Sequence, residues 1–218
     1  METCRQTVTF KELLLSLFLY IKIARASTAV LVNYLALCCC DSIIHLFSDC
    51  GVVTKREWDG LSPLQVEYLA RPVDLVIIQH TVTRTCNTDA GCAEIVRNIQ
   101  TNHMDNLGYA DIGSSFVIGG NGKVYEGAGW LHVGAHTYGY NKRSIGITFI
   151  GNYNSKYPSL EALKALLRCG VEQGHLTSNY QIVGHRQLIA TESPGRKLYN
   201  EIRRWPQFAR DVSAIKNH

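Results

Sequence analysis

Three histidines occupy positions from which an imidazole could act on a ligand. His80 lies near the end of the apolar run VDLVIIQHT, and His185 lies near the end of the shorter run YQIVGHR. His136 lies in the polar loop GAHTYGYN. Two imidazoles held at strand ends, with one further ligand, would bind Zn²⁺ and leave a fourth position for water. A single histidine in such a position is more often an isolated polar surface or cap residue, and it is the matching strand context of the pair that favours a site.

Alternating strand-like and helix-like segments must position these histidines. The β-branched run at 73–81 predicts a buried central strand, and the Asn121-Gly122 pair predicts a hairpin. The other predicted elements are strands at 144–153 and 180–186 and helices at 90–108, 159–175 and 195–208, with Ser159 as the N-cap of the second helix and Gly108 ending the first. This order predicts an α/β domain with a central mixed β-sheet and flanking helices.

The bulk composition is that of a globular protein. The chain has 218 residues, of which 46% are hydrophobic, and a formal net charge of +4. This length is sufficient to bury a sizeable core without metal ions. Because the charge is mild and no basic run is interleaved with aromatic residues, the sequence gives no support for a nucleic-acid partner.

Residues 1–48 differ from the rest of the chain and are interpreted as a leader. Two apolar runs, 13–21 and 29–40, are separated by basic residues. Neither run reaches the roughly 20 apolar residues of a membrane-spanning helix, and the pattern is typical of a secretory signal. We therefore expect a secreted, extracellular protein with no stable membrane span in its mature form, in which 49–218 form the functional domain. An uncleaved signal anchor over 27–47 is the alternative.

Four cysteines lie outside this leader, namely Cys50, Cys86, Cys92 and Cys169. Four cysteines allow three pairings. Cys86 and Cys92 enclose the short polar loop NTDAG and can meet with little strain, so that Cys50 and Cys169 would form the second disulfide. An even number suits an exported protein, whereas buried free thiols would be expected in the cytosol. No C-x-x-C pair is present, which argues against zinc binding by these cysteines.

Nine short motifs follow one another in order between Val52 and Phe208. They are REW (56–58), IIQHT (77–81), CNTDAGC (86–92), NIQTNHM (98–104), YADIGSSFVIGGNGKVYEGAGW (109–130), GAHTYGYN (134–141), SIGITFIGNY (144–153), VGHRQ (183–187) and SPGRKLYNEIRRWP (193–206). Together they resemble the peptidoglycan recognition proteins, relatives of the bacteriophage-type N-acetylmuramoyl-L-alanine amidases. The resemblance implies a mixed sheet with helices packed on it and a peptide-binding groove on one face. It also supports the two disulfides.

The resemblance places a zinc site at positions that have changed. His80 and His185 match the two histidine ligands of the amidases, but Ser193 stands where those enzymes have a cysteine ligand. Ser114 stands where they have a tyrosine that helps to stabilise the attacked carbonyl. A serine hydroxyl stays neutral near pH 7 and binds zinc weakly in comparison with a thiolate. We therefore expect no metal, no cofactor and no hydrolysis. A structural role for Ser193, capping the helix that starts near Gly195, is compatible with this expectation.

A groove without metal would still bind a muropeptide, which is a muramyl sugar carrying a stem peptide. The resemblance implies a ligand-binding set along this cleft. The set comprises His80, Thr81, His103, Gly108, Tyr109, Ser114, Ala128, His136, Tyr140, His185 and Ser193. For His103, an exposed position on a helix is the alternative.

Two positions bear on which stem peptide is preferred. Family members that favour meso-diaminopimelate have Gly-Trp before the DIG segment and an arginine in EGRGW, and this arginine can pair with the extra carboxylate. Here the first position is Gly108-Tyr109 and the second is Ala128, which carries no charge. A preference for Lys-type stem peptides follows, unless Arg84 or Arg143 supplies the charge from another direction.

The resemblance thus implies a secreted innate-immune pattern-recognition receptor that binds bacterial peptidoglycan, leaning towards the Lys type, without cleaving it. Non-enzymatic members of the family act upstream of Toll-type signalling or serine-protease cascades, so protein partners from such a cascade are expected. One alternative is a zinc-dependent N-acetylmuramoyl-L-alanine amidase with a substitute third ligand. Another is an antibacterial protein that coats the cell wall without signalling.

Overall fold

A six-stranded mixed β-sheet forms the centre of this computed structural model, which describes residues 50–217. The strands are β1 (Val52–Val53), β2 (Val73–His80), β3 (Phe116–Ile118), β4 (Val124–Glu126), β5 (Ser144–Phe149) and β6 (Leu176–Gly184). Their order across the sheet is β1-β4-β3-β5-β2-β6, with β3 and β4 antiparallel and the other neighbouring pairs parallel. The predicted α/β class with a mixed sheet and a hairpin at Asn121-Gly122 is confirmed.

Helices and a helical turn cover the sheet. They are α1 (Asp89–Thr101), continued by a π-helical turn (Asn102–Asn106), then α2 (Glu161–Glu172), α3 (Arg196–Ile202) and α4 (Ser213–Lys216). The central strand β2 contributes to clusters on both faces, because successive side chains of a strand point to opposite sides. Its residues Val76 and Ile78 pack in the main cluster with Leu163 of α2, whereas Leu75 and Ile77 pack in a separate cluster. A sheet covered on both faces explains the continuous apolar run of β2.

The ends of several elements differ from the sequence-based predictions. Ser159 does not cap α2, because Leu160 occupies the N-cap position and makes no side-chain hydrogen bond there. The last long helix ends at Ile202 rather than near 208. Strand β6 starts at Leu176, four residues before the predicted strand, because its outer residues are polar and gave no apolar signal. Gly108, with φ +68°, follows the π-helical turn as predicted for a helix stop.

Both predicted disulfides are present. Cys50 is bonded to Cys169 of α2, and Cys86 is bonded to Cys92 of α1. The predicted leader over residues 1–48 lies outside the described residues. Within residues 50–217, no helix is long and apolar enough to cross a membrane.

Candidate functional site

The ends of three parallel strands bring the sequence-predicted histidines together. In the register of β2 and β6, Ile78 lies opposite Gly184, so that His185 follows the same sheet edge at which His80 ends β2. In the register of β2 and β5, His80 lies opposite Phe149. Because carboxyl ends of parallel strands meet at one edge, two histidines far apart in sequence lie beside the same opening.

Two adjoining cavities of about 480 and 320 Å³ lie at this edge, and they share the residues Gln79, His80, His103 and Ser114. We refer to the two cavities together as the groove. The larger cavity is also lined by α1 and its π-helical turn, through Ile95, Asn98, Ile99 and Asn102. The smaller one is also lined by His136, His185, Thr191, Glu192 and Ser193. The groove therefore has strand ends on one side and a helix on the other.

Hydrogen bonds from the main chain fix the ring nitrogens of two histidines. The Nδ1 atom of His80 accepts from the Tyr153 N–H at 3.2 Å, and the Nδ1 atom of His103 accepts from the Gly113 N–H at 2.9 Å. Burial lowers the pKa of both rings, against the opposing charge of a nearby carboxylate in each case. Each ring is therefore neutral at pH 7 and carries its proton on Nε2.

The other two histidines of the groove are also neutral at pH 7. Burial, together with the neighbouring His185, lowers the pKa of His136 to about 3. Burial and the adjacent His80 lower the pKa of His185 to about 4. The Nε2 atoms of both rings are buried without a hydrogen-bond partner among the described residues. A bound ligand could satisfy these atoms, because buried polar atoms normally have partners.

The depressed pKa of His136 predicts a loss of stability in mild acid. Between its ordinary value of 6.5 and about 3, the unfolded chain binds a proton that the folded ring does not bind. The free energy of unfolding therefore falls as the pH drops below 6.5, by about 1 kcal/mol per pH unit from this residue. Urea unfolding at pH 7.5, 6.0 and 5.0 measures the slope. His136→Gln should reduce the slope without abolishing it, because the lowered pKa of His185 contributes in the same direction, and an unchanged slope would contradict the assignment.

Ser193 contacts the first histidine through its side chain. Its Oγ atom accepts a hydrogen bond from the His80 backbone N–H at 3.1 Å, and the residue is buried. The suggested capping role for Ser193 is wrong, because the N-cap of α3 is Gly195 and no side chain caps that helix. Capping is prevented because the hydroxyl is turned towards β2.

These residues do not fit the zinc ion of the amidases. His80 and His185 offer neutral nitrogens, and Ser193 offers a neutral oxygen that is already bonded to an amide. Within residues 50–217, no group of three or more His, Cys, Asp or Glu side chains is arranged to hold a metal ion. Ser193 supplies a neutral oxygen, which binds zinc more weakly than an anionic thiolate would.

A chain of side-chain hydrogen bonds borders the groove, and sequence reasoning missed three of its members, Gln79, Thr137 and Thr148. Ser114 Oγ lies 2.6 Å from Thr148 Oγ1, and Thr148 Oγ1 lies 3.1 Å from Gln79 Oε1. The Gln79 amide nitrogen donates to the His136 carbonyl at 2.9 Å and to Thr137 Oγ1 at 3.1 Å. A polar residue inside an otherwise apolar buried strand was the available signal for both Gln79 and Thr148.

The remaining predicted site residues are distributed differently. Thr81 lines the larger cavity, and Tyr109 lines the smaller one with its ring 5.4 Å from the ring of His103. Ala128 lines neither; it borders a separate cavity of about 60 Å³, which also touches Tyr109. Gly108 ends the helical turn and lines neither cavity of the groove.

Tyr140, which the resemblance placed in the ligand-binding set, lies outside the two cavities of the groove. Its ring packs against the cluster that contains Leu75 and Ile77, and the Arg143 guanidinium lies 4.9 Å from its centroid. The Tyr140 carbonyl accepts from Ser144 Oγ. The residue thus anchors the start of β5 and lines neither cavity of the groove, because its ring packs against the cluster of Leu75 and Ile77.

Known proteins match both the sequence and this geometry. The model of the N-acetylmuramoyl-L-alanine amidase family matches residues 69–197. A peptidoglycan recognition protein of Trichoplusia ni is 82% identical over 168 residues, which are 76% of this chain and 92% of that protein. The solved structure of Manduca sexta peptidoglycan recognition protein-1 is 61% identical, with a TM-score of 0.74, and covers 78% of this chain and 100% of its own.

A further solved structure contains a ligand. Peptidoglycan recognition protein-LE, in complex with tracheal cytotoxin, a monomeric diaminopimelic acid-type peptidoglycan, is 40% identical with a TM-score of 0.71. The match covers 73% of this chain and 96% of that one. Sequence and fold agree, and the chain therefore belongs to the peptidoglycan recognition proteins, within the N-acetylmuramoyl-L-alanine amidase family.

Proposed function

We propose that this protein binds muropeptides of bacterial peptidoglycan in the groove without hydrolysing them. The observation that carries the proposal is the state of Ser193, whose neutral hydroxyl accepts from the His80 amide where an amidase has a thiolate. The relative crystallised with tracheal cytotoxin supports a peptidoglycan ligand. A groove lined by neutral imidazoles and hydroxyls suits a stem peptide, whose amides and carbonyls need polar partners when they are desolvated.

Export and immune signalling belong to the same proposal. The leader predicted over residues 1–48 and the two disulfides suit a protein that matures in an oxidising compartment. A receptor that holds but does not destroy its ligand needs a second protein to pass on the signal, and we propose a component of a Toll-type or protease cascade. Mass spectrometry of secreted material would identify the mature N-terminus.

We further propose a preference for Lys-type over diaminopimelate-type stem peptides. Ala128 offers no charge to the extra carboxylate of diaminopimelate. Arg84 lines the larger cavity, but its guanidinium is paired with Glu94 at 2.6 Å. Arg143 donates to the Ile215 carbonyl and stacks on Tyr140, so it is engaged outside the groove. Arg143 is therefore not free to supply the missing charge, and Arg84 is engaged with Glu94 in an exposed ion pair, a class of contact that contributes little.

Calorimetry with purified muropeptides, followed by mass spectrometry of the recovered ligand, tests the function. We expect binding of the Lys-type muropeptide about 10-fold tighter than that of the diaminopimelate type, since one charged hydrogen bond is missing. The recovered muropeptide should be intact after prolonged incubation with added zinc. Release of the stem peptide would favour the amidase alternative, and absence of binding would refute the receptor proposal. Equal affinities would refute only the preference.

A further inference from the structure

We infer that Ser114 serves in the groove as a hydrogen-bond acceptor only, and that it selects an amide N–H of the bound stem peptide. Ser114 lines both cavities, at the point where they meet. The inference rests on the proposed function for the identity of the ligand, but the direction of the hydroxyl proton is a property of the free protein.

The direction of the Ser114 hydroxyl proton depends first on the orientation of the Gln79 side-chain amide. A backbone carbonyl can only accept, so the contact of 2.9 Å with the His136 carbonyl must be made by the amide nitrogen of Gln79. The same nitrogen gives its second proton to Thr137 Oγ1. The side-chain oxygen of Gln79 is therefore turned towards β5, where Thr148 is its register partner.

The orientation of the Gln79 amide then fixes which hydroxyl donates in the contact between Thr148 and Ser114. Because an amide oxygen has no proton, Thr148 Oγ1 must donate to Gln79 Oε1, and the single hydroxyl proton of Thr148 is used in that bond. Ser114 Oγ, at 2.6 Å from Thr148 Oγ1, must therefore be the donor in their contact. Its own proton is directed into the protein, and only lone pairs are left for a ligand. Gln79, Ser114 and Thr148 are all buried and border the groove with only 7%, 5% and 7% of their surface exposed.

The groove then presents complementary groups to a peptide. His80 and His103, whose Nδ1 atoms accept from main-chain N–H groups, carry donor protons on Nε2 and line both cavities with Ser114. A peptide carbonyl suits these imidazoles, and a peptide N–H suits Ser114. A carbonyl or carboxylate oxygen placed against Ser114 would meet lone pairs, which disfavours it. The donor that a hydrolytic site requires at this position is absent for the same reason.

A chemical double-mutant cycle tests the ligand side. The stem peptide of the tighter-binding muropeptide is prepared with each amide in turn replaced by an ester, which removes one N–H. At one position, we expect the ester to weaken binding to the wild-type protein about 10-fold, and to weaken binding to Ser114→Ala by less than about 2-fold. If every ester costs the same in both proteins, the inference is wrong.

Two variants of Thr148 test whether the hydrogen bonds from Ser114 to Thr148 and from Thr148 to Gln79 set the direction of the Ser114 proton. Thr148→Ser keeps the hydroxyl, so the ester should weaken binding to this variant as much as it weakens binding to the wild-type protein. We call this loss of affinity the ester penalty. Thr148→Val keeps the shape of the side chain but removes the acceptor, so that Ser114 can turn its proton towards the groove and donate to the ester oxygen. We expect the penalty to fall below about 3-fold in Thr148→Val. An undiminished penalty in that variant would show that Gln79 and Thr148 do not set the direction.

Neutron crystallography of the free, deuterated protein tests the polarity without any ligand. We expect one deuterium between Ser114 and Thr148, bonded to Ser114, and one between Thr148 and Gln79, bonded to Thr148. A deuterium on Ser114 that points into the groove would overturn the inference even if no muropeptide binds. Failure of all muropeptides to bind, together with the expected deuterium positions, would instead refute the proposed function and leave the hydroxyl polarity established.

Discussion

Ser193→Cys is expected to bind one zinc ion per chain and to remain without amidase activity. The substitution puts an anionic sulfur beside the two neutral imidazoles of His80 and His185, and this sulfur can still accept from the His80 amide. Since changes in the outer shell of a metal site already alter affinity 10- to 100-fold, we expect zinc affinity to rise by more than about 100-fold. Equilibrium dialysis with metal analysis measures the gain.

The matched control is Ser193→Ala, which should bind no more zinc than the wild-type protein. Activity should stay absent in Ser193→Cys because the Ser114 proton is held by Thr148 and no donor faces the attacked carbonyl. Two outcomes would contradict this account. One is stoichiometric zinc in the wild-type protein after dialysis, and the other is release of stem peptide by Ser193→Cys alone.

Removal of the Cys50–Cys169 disulfide is expected to cause the largest loss of stability of any pair of substitutions considered. The bonded cysteines are 119 residues apart, and the loop-entropy relation gives about 5 kcal/mol for a loop of that length. The Cys86–Cys92 pair spans 6 residues, for which the same relation gives about 2 kcal/mol. The free energy of unfolding of Cys50→Ser/Cys169→Ser should thus fall well below that of Cys86→Ser/Cys92→Ser.

Urea unfolding of the two double variants, with the wild-type protein measured alongside, supplies this comparison. The slope of the unfolding free energy with urea should also rise when either bond is removed, because the denatured chain becomes less compact. Equal losses from the two pairs would show that loop entropy does not control the difference. Local effects on β1 and α2 would then have to account for the loss of stability on removal of the Cys50–Cys169 disulfide.

Sequence patterns were sufficient for the fold because each main element carries its own local signal. The β-branched run of β2 is buried, and Leu163, Leu166 and Leu167, which share one face of α2 by helical spacing, are buried as well. The Asn121-Gly122 turn joins β3 and β4 as expected. The prediction failed where an element lacks an apolar pattern of its own. The first half of β6 is mostly polar, so the strand was predicted to start four residues after its observed start at Leu176.

The candidate site was only partly predictable. His80 and His185 were found because each follows an apolar strand, and strand ends meet at one sheet edge. Tyr140 was misplaced because a motif gives a position in sequence but not the direction of a ring. Gln79 and Thr148 were missed because their roles depend on the register of β2 against β5, which brings together residues 69 positions apart.

The strand register that places His80 and His185 has an evolutionary consequence. Pairing of β2 with β5 and β6 holds the backbone that carries the two rings. A lineage can therefore exchange the third ligand without refolding the frame, and capture and cleavage of the same polymer become separable by side-chain changes alone. Enzymes that degrade a polymer and receptors that only bind it can therefore share one ancestral fold.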